Sequence, residues 1–77
     1  MKDTFEQMAA RWPSALVART QVEAFTGGVY SEGYLANCDS KGMGPAGRIR
    51  IGRKVAYPVG ELVAWLESRA EAIPGKA

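Results

Sequence analysis

Histidine is absent from the 77 residues, and cysteine occurs once, at Cys38. A structural zinc site draws its ligands from several Cys and His residues, so this chain cannot assemble one. Ser–His and Cys–His nucleophilic pairs need an imidazole and are excluded with it. A lone thiol closes no intramolecular disulfide, which favours a reducing compartment, and we expect the cytoplasm. No apolar run approaches the roughly 18 residues of a bilayer span, so no membrane segment is expected. Met1-Lys2-Asp3-Thr4-Phe5 brings an acid early and no apolar core, unlike a secretory signal. The expectation is a non-enzymatic chain with no catalytic residues, no metal and no cofactor.

What remains is a small domain of 47 % hydrophobic composition, enough to argue against wholesale disorder. A chain of this length buries only roughly 60 % of its unfolded surface, so its core is thin. The net charge of +2 conceals an uneven distribution. Between Ser40 and Gly60 stand Lys41, Arg48, Arg50, Arg53 and Lys54 with no acid. The rest of the chain sets five basic residues against eight acids, a net of −3 (5 − 8). A local cationic segment on an otherwise acidic chain suits a face that meets a polyanion, or a hairpin kept soluble by its charge.

Phe5, Met8, Ala9 and Trp12 recur at helical spacing and predict an amphipathic helix over 2–12, closed by Pro13. Its stripe either covers the core of the same domain or offers a homodimer contact through Phe5, Met8 and Trp12. Leu16-Val17-Ala18 reads as a short extended approach. A second helix is expected to open at Thr20, with Thr20 and Glu23 at capping-box spacing, and to end at Thr26-Gly27-Gly28. Ser31 caps a third helix that runs to Lys41 before Gly42. Two short helices joined by a glycine-bearing turn form a helix-turn-helix pattern. Gly42-Met43-Gly44-Pro45-Ala46-Gly47 lacks the Gly-Lys-Ser/Thr ending of a phosphate loop and reads as a connector.

Arg48-Ile49-Arg50-Ile51 and Lys54-Val55-Ala56-Tyr57 flank Gly52-Arg53, a period-two pattern around a hairpin turn. Ile49, Ile51, Val55 and Tyr57 are expected inward, leaving Arg48, Arg50, Arg53 and Lys54 to solvent. Pro58 opens a last helix with Val59, Leu62, Val63, Trp65 and Leu66 on its inner face. Trp65 is expected to close the core against the hairpin, and Pro74-Gly75 marks a frayed tail.

This order, helix, tight turn, helix, basic hairpin, helix, is that of a winged helix. Over about Leu16 to Leu66 the chain resembles the small excisionase-like and MerR-type winged-helix domains of phage and mobile-element regulators. The carrying residues are Arg19-Thr20-Gln21-Val22-Glu23, Ser31 with Leu35, Gly44-Pro45, Arg48 through Tyr57, and Leu62 with Trp65-Leu66. It departs at Ala36-Asn37-Cys38, where many relatives place a large aromatic residue or Arg, and its first 12 residues match no part of the pattern. The expected fold class is α+β, mainly α: a winged helix-turn-helix with a two-stranded wing, a C-terminal helix and an extra N-terminal helix. The expected organisation is an N-terminal helix over 1–13, a winged-helix domain over 14–70 and a flexible tail over 71–77. The resemblance implies duplex DNA binding in recombination directionality or transcription regulation of a prophage or similar element, with an integrase, another recombinase or RNA polymerase as protein partner. A winged helix that binds a protein and no DNA is the alternative.

Helical geometry gives the expected DNA face. At about 100° per residue, Ser31, Leu35 and Cys38 fall on one side of the third helix, and Gly33, Ala36, Asn37, Ser40 and Lys41 on the other. Glu32 and Asp39 are expected nearer the buried side, off the centre of that outer face. Asn37 suits the N6/N7 edge of adenine, or is an ordinary surface amide. Tyr34, at the border, is either packing or a contact. Thr20 and Gln21 could offer backbone amides to a phosphate. In the wing, Arg48, Arg50, Arg53 and Lys54 would neutralise phosphates, with Arg53 suited to the minor groove. Cys38 reads as a small core residue.

Overall fold

The structure, a computed structural model, describes residues 2–75. Met1, from the expected N-terminal unit, and residues 76 and 77, from the expected tail, lie outside the described residues. The elements run α1 (Lys2–Arg11), β1 (Leu16–Ala18), a 3₁₀ turn (Arg19–Gln21), α2 (Val22–Phe25), α3 (Glu32–Ser40), β2 (Ile49–Ile51), β3 (Lys54–Pro58) and α4 (Val59–Arg69). The chain is therefore α+β, about half helical. Its strands form one antiparallel sheet in the order β1-β3-β2.

The sheet has three strands where the sequence suggested two. Leu16-Val17-Ala18 pairs with Pro58-Tyr57-Ala56, so the approach to α2 is an edge strand. The Val59 N–H, donating to the Ala15 carbonyl at 2.9 Å, extends that tie into α4. Three consecutive apolar residues are too few to announce a strand, and the partner that fixes them lies about 40 residues away.

Because β1 continues through Ala18, the next turn begins at Arg19, and the expected Thr20–Glu23 capping box does not form. Ala18 takes the cap position with extended backbone, and its N–H donates to the Gln21 side-chain oxygen at 3.3 Å. The ends of α2 and α3 do follow the glycines. After α2, Gly27 (φ +67°) and Gly28 donate to Ala24 and Glu23 carbonyls. After α3, Gly42 (φ +72°) donates to Asp39 and Met43 to Cys38. Both are the paired 5→2 and 6→1 bonds that close a helix on a left-handed residue.

Val17, Val22, Leu35, Tyr57 and Leu62 are fully buried, with Phe25, Val59, Val63 and Leu66 completing the core. Each such aliphatic side chain contributes roughly 1.5–3 kcal/mol of transfer free energy. α1 packs against α4, and Phe5, Met8, Ala9 and Trp12 lie half-buried on the core. Trp12 meets Phe25 edge-on (ring centres 5.2 Å, 87°), and its indole N–H donates to the Leu16 carbonyl at 2.8 Å.

In the hairpin Tyr57 is buried, Val55 half-buried and Arg48, Arg50, Arg53 and Lys54 exposed, as expected, but Ile49 and Ile51 do not turn inward. Ile51 pairs with Lys54 across Gly52-Arg53, Arg50 with Val55 and Ile49 with Ala56. A two-residue loop here makes every odd-numbered residue of β2 face an even-numbered residue of β3. Ile49 and Ile51 therefore cannot share a face with Val55 and Tyr57. They are 42 % and 58 % exposed, beside Lys54 and Ala56, while Arg50 lies across from Val55. Gly52 has φ +63° and Arg53 a negative φ, the signs of a type II′ turn.

Candidate nucleic-acid interface

α3 is held from its inner side. Leu35, Cys38 and Asp39 are buried, while Gly33, Asn37, Ser40 and Lys41 are exposed and Ala36 is half-buried; Ser31 and Glu32, expected on the inner side, are exposed because they stand at the open N-terminal end. Ser31 caps the helix, its Oγ accepting the Tyr34 N–H at 3.1 Å. Ser40 Oγ donates to the Asn37 carbonyl at 2.8 Å, so its hydroxyl proton is engaged by the helix itself. Gly33 leaves the outer face low, since a Cβ there would meet nothing closer than Ser31 Oγ at 3.9 Å.

Asp39 ties α3 to the sheet. Its Oδ2 accepts from Arg19 Nη2 at 2.6 Å and from the Tyr57 hydroxyl at 2.5 Å, and Arg19 Nε donates to the same hydroxyl at 3.1 Å. Asp39 Oδ1 is buried without a hydrogen bond, 3.9 Å from Arg48 Nη1. A Cβ on Gly44 would stand 1.9 Å from that oxygen, so only glycine lets the connector pass over the carboxylate. Burial pushes the Tyr57 phenol up to about 12; the Arg19 hydrogen bond opposes this shift, and the one with Asp39 adds to it. The start of α2, the end of α3 and the central strand of the hairpin sheet are thereby locked in one register.

The β2–β3 hairpin lies beside the first turn of α3. Ala18, Arg19, Thr20, Glu32, Arg53, Lys54 and Val55 line one open cleft of about 400 Å³. The hairpin tip thus faces the N-terminal end of α3 and the entry to α2. Thr20 is exposed at the rim, whereas Gln21 has its side-chain oxygen engaged on Ala18. Lys41, Arg50, Arg53 and Lys54 have no carboxylate within 4.0 Å among the described residues. Arg48 stands apart, half-exposed at the root of the hairpin and leaning on Asp39.

On the other flank of α3, Tyr34 is 37 % exposed and stacks on Tyr30 (4.7 Å, 12°). Its hydroxyl accepts from Arg69 Nη2 at 2.5 Å. Trp65 joins this group, and its indole N–H donates to the Met43 carbonyl at 2.9 Å. Trp65 therefore fastens the connector between α3 and the hairpin, not the hairpin itself. Asp39 and Arg69 escaped the sequence reading as site residues, because their partners lie 18 to 39 positions away.

Comparison with protein-family models, with curated proteins and with solved structures returned no match. No helix among the described residues is long and apolar enough to cross a membrane.

Proposed function

We propose that this chain is a winged helix-turn-helix domain that binds duplex DNA, with α3 in the major groove and the β2–β3 wing on the backbone and minor groove. The observation that carries this reading is the shared cleft: the cationic tip, Arg53 and Lys54, lies beside Thr20 and the exposed Glu32 at the start of α3, with cations outnumbering the one acid in the lining. Cations without protein counter-ions on one concave surface suit a polyanion. A low outer face bearing Gly33, Asn37 and Ser40 lets a helix approach base edges closely. The role is that of an excisionase-like or transcription-regulatory factor of a mobile element, acting in the cytoplasm without cofactor or chemistry of its own. An integrase or RNA polymerase is the partner such a role implies.

Selection from a random duplex pool tests it. A defined motif should be enriched, and Asn37→Ala should lower the target-to-random affinity ratio by about fivefold to a hundredfold while changing random-DNA affinity little. A pool that yields no motif, or a ratio unmoved by Asn37→Ala, overturns the base-reading assignment. The exposed Ile49 and Ile51 favour one competitor, a winged helix that docks on a protein. Binding to that partner would be insensitive to salt.

A further inference from the structure

The cations of the cleft flank α3 on one side only. At about 100° per residue, Tyr34 lies roughly 200° around the axis from Glu32, so it marks the flank away from the wing. Tyr34, Asn37 and Lys41 follow one another at i, i+3 and i+7 along that edge of the exposed face. Against the same edge lies Arg69, in the last turn of α4.

Arg69 is held unusually firmly for an exposed side chain. Its Nε donates to the Tyr30 hydroxyl at 3.1 Å and its Nη2 to the Tyr34 hydroxyl at 2.5 Å. Its guanidinium carbon is 4.6 Å from the Trp65 ring centre, 5.4 Å from that of Tyr30 and 5.6 Å from that of Tyr34. No carboxylate lies within 4.0 Å of it, and its Nη1 has no protein acceptor, among the described residues. Ordering a rotamer-rich side chain is costly, and here the cost is met before any anion arrives. A planar guanidinium, fixed by hydroxyls and rings, with one amino group open to solvent and no counter-ion, is shaped for phosphate.

We infer that Arg69 is a phosphodiester-binding residue, caged by Tyr30, Tyr34 and Trp65 so that it grips the DNA backbone on the flank of α3 opposite the wing. This rests on the DNA-binding reading above. The major groove is about 12 Å wide and bordered by the phosphates of both strands. The wing tip and Arg69 bracket α3 from its two sides, one for each border. Tyr34 is then a positioning residue that acts through Arg69, and not a base contact.

The test is duplex affinity between about 50 and 200 mM salt for wild type, Arg69→Gln, Arg69→Lys and Tyr34→Phe. Arg69→Gln should weaken target and random duplexes alike, by roughly five- to tenfold at the lower salt, and make the log–log slope shallower by about 0.9. Tyr34→Phe keeps the charge and the stack but loses the hydroxyl, so affinity should fall about two- to threefold with the slope unchanged. An Arg69→Gln variant that melts like wild type and keeps the wild-type slope reduces Arg69 to a strut between α3 and α4. Should Arg69→Gln fold poorly, Arg69→Lys decides: a retained slope with weaker binding supports the clamp, and unaltered affinity overturns it. Wild type without salt-dependent duplex binding would instead fail the DNA-binding reading itself, and the clamp with it.

Discussion

Asp39 connects three parts of the chain through one carboxylate, and Tyr57 is its least exposed partner. The Tyr57 phenol ionises near 10 in an unfolded chain and at about 12 here, chiefly because it is buried. Over that window the folded chain keeps the phenolic proton while the unfolded chain releases it. The associated stability is therefore complete below about pH 10 and is lost as pH rises towards 12. Denaturant melts should show wild-type stability falling by about 1–2 kcal/mol across that interval. Tyr57→Phe, less stable at neutral pH, should show a shallower decline. Parallel curves for the two proteins would mean that the phenol is not desolvated. Helical spacing alone put Asp39 off the exposed face of its helix. It could not supply Arg19 or Tyr57, because neither is a neighbour in sequence.

The helices were the most legible elements. Ser31 and Gly42 mark the ends of α3 within a residue, Pro58 marks the start of α4, and of the stripe Val59, Leu62, Val63, Trp65 and Leu66 all but the half-buried Trp65 are buried. Such signals are local: a cap or a left-handed glycine acts over one turn. The hairpin shows the other side. Its location, its Gly52-Arg53 turn and the inward side of β3 are plain in the sequence, but Ile49 and Ile51 of β2 do not turn inward with Val55 and Tyr57. Alternation says that two faces exist, and the loop length says which residues of the two strands share one. Counting across the two-residue loop separates Ile51 from Val55. The isoleucines are therefore surface residues of a projecting strand, and Ile51→Thr should alter stability by less than about 0.5 kcal/mol in denaturant melts. A loss of about 1.5 kcal/mol or more would mean that Ile51 is packed against something after all.

Taken whole, the molecule has one side where α1 and α4 cover the core, and another where the first turn of α3, the entry to α2 and the hairpin surround one cleft. The charge imbalance between residues 40 and 60 announces the second side. The third strand and Arg69 do not appear in that imbalance, since one is made by pairing and the other by packing. The proposed function depends on a single surface, made by the wing tip and α3, that meets a double helix. It is tested most directly by measuring duplex affinity against salt for wild type and the Arg53→Ala/Lys54→Ala double variant. If about four or five phosphates are engaged, the wild-type log–log slope should be on the order of −4. The double variant should weaken every duplex about equally, with a slope shallower by about 2. Equal affinity and equal slope for the two proteins would contradict it.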